Sequence, residues 1–272
     1  MANLKAVFSD IDGTLLNTKH EVSKDTKEVI QEIMKRGIPF VLVSARMPKG
    51  MISIRDEIKA HYPMICYSGA LIVDADGNDL FSCNFKQSTA KNIYKSLRKY
   101  SSDISINIYS ENRWIVEDKE EKWAKQESEI TGVIPEEINF ENKEVFTCVH
   151  KYLCMGEPEE INKVENFLKV EYPEVRIYKS KPTYLEIMTM EASKSNAIRL
   201  LEDYFHIQKE ETIAVGDGFN DIDMISYAGV GVAMGNAADE VKEVADIVAD
   251  TNENEGLMKV LYHQFSTIKE QR

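Results

Sequence analysis

The strongest constraint in this chain is a rhythm of short apolar runs separated by amphipathic stretches. "KAVFSD" (5–10), a helical stretch at 23–36, "IPFVLVSA" (38–45), a second helical stretch at 49–60 and "PMICYSG" (63–69) read as β-α-β-α-β. Right-handed crossovers wind such a unit into a parallel sheet. The rhythm breaks after "LIVDADGNDLFS", whose Asp76-Gly77-Asn78-Asp79 reads as a hairpin turn. From about 84 to 188 come a helix over 86–100, strand-like "SINIYS" and "RWIVED", another helical stretch, "VFTCVHKYLCM", a helix at 158–171, then "VRIYKS" and "TYLEIMT". Strands there fall in adjacent pairs, with Glu111-Asn112 as one turn, which predicts an antiparallel α+β unit. The βα alternation then resumes: a helix at 194–205, "TIAVGDG", a helix at 219–228, "GVGVAMG", a helix at 237–245, "DIVAD" and a helix at 255–263. The expected architecture is a doubly wound parallel-sheet α/β core formed by 1–83 and 189–272, interrupted by an inserted α+β domain at 84–188.

The 272 residues are 43% apolar, enough for a sizeable core and too many for a disordered chain. A net charge of −13 with no Lys/Arg run opposes a nucleic acid or an acidic membrane as partner. Cys66, Cys83, Cys148 and Cys154 form no C-x-x-C pair and read as reduced core thiols. Neither a signal-peptide segment nor a long unbroken apolar run is seen, so a soluble, cytoplasmic protein is expected.

The chemistry is concentrated where strands end. In an open parallel sheet, ligands bind beyond the carboxyl ends of the strands. Asp10 and Asp12 leave the first strand, Ser44 and Arg46 the second, Ser68 and Gly69 the third, and Asp217 follows "TIAVG". Carboxylates meeting at one rim repel unless one takes a proton or a cation sits among them. Oxygen-only ligands with room for water and phosphate suit Mg²⁺. An ionised Asp10 is a competent nucleophile toward phosphorus, and Asp12 can pass a proton to the leaving oxygen and take one from water. Gly13 permits a turn and close approach of a phosphate, and Thr14 is placed to orient Asp12. Ser44 and Lys194, the latter at a helix start, offer donors to phosphoryl oxygens. In "GDGFND", Asp217 is placed to bind Mg²⁺, Asn220 to hold phosphate, and Asp221 to bind the metal or fix Asp217.

Together D-x-D-G-T-L-L (10–16), "VLVSAR" (41–46), Lys194 in "SKSNAI" and "GDGFNDIDMI" (216–225) resemble the four motifs of the haloacid dehalogenase superfamily. The insertion resembles the large cap of its Cof-type phosphatases. The resemblance spans nearly the whole chain. It implies Asp10 as nucleophile, Asp12 as acid/base, Mg²⁺ on the Asp10 side chain, the Asp12 carbonyl and Asp217, and phosphate on Ser44 and Lys194. Three departures stand out: "CYSGA" where relatives commonly read Asn-Gly-Ala, Ser195 where glycine is common after the lysine, and "SAR" for Thr-Gly-Arg.

Other readings of these residues fit less well. An EF-hand loop starting at Asp10 has Leu15 where glycine is required. "GVGVAMGNA" lacks the glycine spacing of a dinucleotide loop and reads as a strand and turn near the rim. His20, His61, His150, His206 and His263 have no mutual metal-ligand spacing, and Trp114 and Trp123 read as packing residues of the insertion. The expected function is a Mg²⁺-dependent phosphatase acting on a small phosphorylated metabolite. A phosphomutase or phosphotransferase of the same superfamily and a phospho-aspartate signalling module are the alternatives. Oligomeric state is not legible.

Overall fold

The computed structural model describes residues 3–266. Its first part alternates β1 (Ala6–Asp10), α1 (Lys24–Lys35), β2 (Phe40–Val43), α2 (Lys49–Ile58), β3 (Met64–Cys66) and the hairpin β4 (Leu71–Val73) and β5 (Asp79–Ser82). The chain then builds α3 (Gln87–Tyr100), β6 (Ser105–Ser110), β7 (Arg113–Val116), α4 (Lys122–Thr131), β8 (Glu136–Glu137), β9 (Val149–Met155), α5 (Pro158–Glu171), β10 (Val175–Lys181) and β11 (Tyr184–Thr189). It closes with α6 (Lys194–Phe205), β12 (Thr212–Gly216), α7 (Ile222–Tyr227), β13 (Val230–Ala233), α8 (Asp239–Lys242), β14 (Ile247–Val248) and α9 (Gly256–Ser266).

Among the described residues, one sheet has the order β14-β13-β12-β1-β2-β3-β4-β5, parallel from β14 to β3 and antiparallel through the hairpin. Its strands β1, β2, β3 and β12 are buried along their whole length because both faces are covered there, whereas the edge strand β5 is largely exposed. Val7, Leu42, Ile213 and Val232 pack on one side, and Phe8, Val41, Ala214 and Ala233 on the other. The register sets Asp10 beside Val43 and Ser9 beside Val215, so the loops after β1, β2 and β12 leave the sheet at one level.

The second sheet has the order β10-β11-β9-β6-β7-β8. Its strands alternate. Ile106, Tyr152, Cys154, Leu185 and Ile187 pack under α3 and α5 with Ile93, Leu97, Ile161 and Val164. The intervening residues, among them Tyr109, Lys151, Leu153, Tyr184 and Glu186, turn to the opposite face.

Several elements differ from the sequence reading. The run at 145–155 does not extend whole: Lys143–Phe146 form a 3-10 turn, and the strand begins only at Val149, after Cys148 takes φ 60. The expected 219–228 helix opens as a 3-10 turn at Phe219–Asp221, and the 237–245 helix keeps four residues. β8 was not anticipated, and its parallel pairing with β7 breaks the otherwise antiparallel second sheet. All four cysteines are free; Cys66 and Cys154 are buried and the other two partly so.

Candidate active site

The rim of the parallel sheet and the alternate face of the second sheet enclose a cavity of about 420 Å³. Its floor includes Asp10, Asp12, Ser44, Arg46, Asp217, Asn220 and Asp221, each placed by the loop after a parallel strand. Ligand oxygens of Asp10, Asp217 and Asp221 lie within 4.8 Å of one another.

Lys194 is wholly buried at the start of α6, where Ser193 caps the helix by accepting from Asn196 N–H. Its Nζ donates to Asp10 Oδ1 at 2.6 Å and to Asp221 Oδ1. Burial alone would lower the Lys194 pKa, but Asp10 and Asp221 more than offset that and hold it charged. Burial and the Asp221 charge push the Asp10 carboxyl well above the usual range, against the pull of Lys194. Burial and Asp221 likewise push Asp217 up to about 6, although a hydrogen bond from Thr14 favours its ionised form. The rim therefore carries more negative charge than one ammonium neutralises.

Gly13 has φ +81, and a Cβ there would stand 2.2 Å from Asp217 Oδ2, so the turn after β1 and the Asp217 carboxylate share space only glycine leaves free. Thr14 Oγ1 donates to Asp217 Oδ1 at 2.9 Å, so this hydroxyl orients Asp217 and not Asp12 as the sequence reading held. Asp12 is gripped instead by Arg46, whose Nε and Nη2 donate to its two oxygens at 2.9 and 2.6 Å. Arg46 thus lines the cavity while spending its fork on the adjacent carboxylate. Ser44 is buried, with Oγ accepting from Arg46 N–H and its own hydroxyl proton still available. Asp221 accepts from Lys194 and, through Oδ2, from the N–H groups of Asp217 and Gly218 at 3.0 and 2.8 Å, so its acceptor capacity goes largely to holding this loop.

Ser68 and Gly69 stand apart from the cavity. Ser68 has φ +49, and its Oγ pairs with Tyr178 OH at 3.1 Å. A Cβ at Gly69 would meet Ser193 O at 2.1 Å, so this glycine serves the close packing of the β3 loop on the start of α6.

Sequence reasoning passed over several residues that the fold brings in. Asn236, in the loop after β13, donates to Gly13 O at 2.9 Å and to Asp217 Oδ2 at 3.2 Å. Its signal was the "GNA" turn, placed near the rim without a role. From the second sheet and α4 come Lys151, Glu186, Glu127 and Tyr184. Trp114 packs as expected, donating Nε1–H to Asn107 Oδ1 at 2.9 Å, and also lines the cavity. His20 reaches the cavity as well.

The profile of the haloacid dehalogenase-like hydrolases matches residues 7–261. A Haemophilus influenzae protein with a provisional phosphatase name is 38% identical over 96% of this chain and 98% of its own length. The Bacillus subtilis 5-amino-6-(5-phospho-D-ribitylamino)uracil phosphatase YcsE is 28% identical, covering 96% of each chain. Among solved structures, a haloacid dehalogenase-like hydrolase from Bacteroides thetaiotaomicron aligns with TM-score 0.88 at 27% identity over 96% of this chain and all of that one. The HAD subclass IIB sugar phosphatase BT4131 aligns with TM-score 0.81 at 25% identity over 96% and 98% of the two chains. With that match running through every strand-end motif of the rim, the chain belongs to the haloacid dehalogenase-like hydrolase family and to the phosphatases within it.

Proposed function

We propose that the protein is a Mg²⁺-dependent phosphatase that hydrolyses small-molecule phosphate monoesters through an aspartyl-phosphate on Asp10. The observation that carries this reading is the meeting of Asp10, Asp217 and Asp221 around Lys194 on the floor of an enclosed cavity.

The donor set suits the ion. All three side chains offer oxygen only, and burial, with the Asp221 charge added to it, raises Asp10 and Asp217, a cost to their ionised forms that a divalent cation would offset. Asp10 and Asp217 would hold it, with the Asp12 carbonyl as the family resemblance implies, while Asp221 fixes Lys194 and the Asp217 loop. When bound, Mg²⁺ would supply positive charge to the transferring phosphoryl oxygens.

The chain's own residues then divide the work. Asp10 Oδ attacks phosphorus, forming the acyl phosphate as the bond to the leaving oxygen breaks, and Asp12 gives that oxygen a proton. In the second half Asp12 takes a proton from water, whose oxygen bonds to phosphorus and releases inorganic phosphate and the Asp10 carboxylate. Arg46 keeps Asp12 in one orientation, and Ser44 and Lys194 offer donors to the phosphoryl oxygens. The walls from the second sheet keep bulk water from the acyl phosphate.

A small metabolite as substrate fits the cavity's size, and the activities named for YcsE and BT4131 support that class. Among the described residues no helix is long and apolar enough to cross a membrane. Asp10→Asn should abolish Mg²⁺-dependent release of phosphate from p-nitrophenyl phosphate in a protein of unchanged circular dichroism. Near-normal turnover in that variant rules out Asp10 as the nucleophile.

A further inference from the structure

The wall facing the aspartates carries charges unusual for so buried a surface. On β9 and β11, Lys151 and Glu186 are 4% and 3% exposed and pair at 3.2 Å. Lys151 Nζ also donates to Ala45 O at 2.8 Å, between Ser44 and Arg46, which ties the second sheet to the phosphate end of the cavity. Its ammonium lies 4.8 Å from the centre of the Tyr109 ring, itself stacked with Trp114. Ala45 O and Glu186 take two of the three donors of this ammonium and hold it against the wall.

Glu127, on α4, is different. It is 9% exposed and lines the same cavity. Tyr184 OH donates to its Oε2 at 2.9 Å and thereby aims the carboxylate. No donor among the described residues reaches Oε1, and that oxygen is not sealed from the cavity. An oxygen that faces the cavity takes its hydrogen bonds from water or from a ligand hydroxyl that replaces the water. The Glu127 charge reaches Arg46, the residue that grips Asp12. Asp12 and Glu127 line the same cavity, so an alcohol that leaves beside Asp12 does so into the space that Glu127 borders.

The sign of the wall narrows what that alcohol can be. Its buried groups sum to two carboxylates and one ammonium, with Lys181 exposed at the edge against Tyr184. A second phosphate would enter against net negative charge, whereas a hydroxyl brings the proton Glu127 lacks.

Resting on the phosphatase reading above, we propose that Glu127 determines specificity by accepting a hydrogen bond from a hydroxyl of the leaving alcohol. Glu127 and the Lys151–Glu186 pair thereby select a neutral, polyhydroxylated alcohol over one bearing a second phosphate.

The test compares wild type with Glu127→Gln on three esters: a hexitol monophosphate, a hexose bisphosphate and p-nitrophenyl phosphate, whose leaving group has no second hydroxyl. Wild type should prefer the hexitol ester to the bisphosphate. Loss of a hydrogen bond to a charged acceptor should lower kcat/KM for the hexitol ester roughly ten- to a hundredfold in the variant. Any loss on p-nitrophenyl phosphate, through the Glu127 charge felt at Arg46, should be several-fold smaller than on the hexitol ester, whereas a merely structural role for Glu127 would lower both alike. Tyr184→Phe, which removes the group that aims the carboxylate, should lower the hexitol ester in the same selective way.

Equal losses on both esters, no loss on either, or a bisphosphate handled as well as the hexitol ester each overturn the proposal. Calorimetric binding of the hexitol phosphate to Asp10→Asn, with and without Glu127→Gln, gives a readout that needs no turnover. Binding that weakens on Glu127→Gln, with a wild type that hydrolyses none of the three esters, would keep the recognition and refute the phosphatase. Hydrolysis of p-nitrophenyl phosphate with binding indifferent to Glu127 would do the reverse.

Discussion

Gly13→Ala separates backbone strain from displacement of a catalytic carboxylate, because Gly37→Ala is a control in the same chain. Gly13 and Gly37 have φ of +81 and +79, so an alanine at either adopts the left-handed region. That strain costs about 1–2 kcal/mol, which for a chain of this size lowers Tm by roughly 2–8 °C. At Gly37 nothing lies within 4 Å of the new methyl, and the cost ends there. At Gly13 the methyl would stand 2.2 Å from Asp217 Oδ2 and 2.8 Å from its Cγ. Relieving a contact so far inside ordinary van der Waals separation moves the carboxylate by about 1 Å. The hydrogen bonds from Thr14 and Asn236 to that carboxylate then stretch or break. A displacement of that size at a reacting centre costs about a hundredfold in rate. The assay is Mg²⁺-dependent phosphate release from p-nitrophenyl phosphate, alongside thermal unfolding of both variants. Gly37→Ala should lose stability and keep its turnover, whereas Gly13→Ala should lose about two orders of magnitude in kcat/KM and need more Mg²⁺ for half-maximal rate. Equal turnover in the two variants would refute the placement of Asp217 as a functional constraint.

Two further outcomes follow from buried titratable groups. His150 Nδ1 accepts from Glu111 N–H at 3.1 Å and Nε2 meets Ser82 Oγ at 2.9 Å, while burial pushes its pKa down to about 4. A base with a depressed folded pKa binds fewer protons when folded, so stability falls as pH drops from the ordinary 6.5 toward 4, by about 3 kcal/mol in all. Asp217 acts in the opposite direction over part of that window, so the difference between wild type and His150→Gln, measured by urea unfolding at pH 7.5 and 5, isolates the effect; a constant difference would exclude it. Glu202 Oε1 is buried with no partner among the described residues, and burial raises the Glu202 pKa. An acid with a raised folded pKa loses stability as pH rises through that value, so Glu202→Gln should gain about 1 kcal/mol at pH 8 and little at pH 4.5. A gain that does not depend on pH would point to packing instead.

The core and the floor of the candidate site were legible because their residues lie in contiguous strand-end motifs, where apolar run, turn glycine and carboxylate follow one another. Lys194 was legible only through its motif, since nothing in "SKSNAI" announces a lysine with no exposed surface. Asn236 and Gly13 lie far apart in sequence, and only the β13-β12-β1 order brings them together. Thr14 was assigned to the wrong aspartate for the same reason, as Asp217 is near it in space and distant in the chain. Lys151, Glu186 and Glu127 share no spacing at all: two come from alternate positions of different strands and one from a helix. Ser68 follows its strand as the sequence suggests, but the pairing of its hydroxyl with Tyr178, a residue contributed by β10, has no signal in the local sequence.

The strand that bears Asp10 pairs on one side with β2, made soon after it, and on the other with β12, which the ribosome delivers only after the whole insertion. At cellular elongation rates, about 200 intervening residues leave that side of β1 without its partner for roughly 10–40 s. Through that interval Asp10 lacks Asp217 and, for nearly all of it, Lys194, so a nascent chain carries the first aspartate of the rim without the partners that hold it. It also carries an open β edge, a template for pairing with another chain. Truncations ending before Gly216 should accordingly be inert and prone to aggregate, however complete their first three strands.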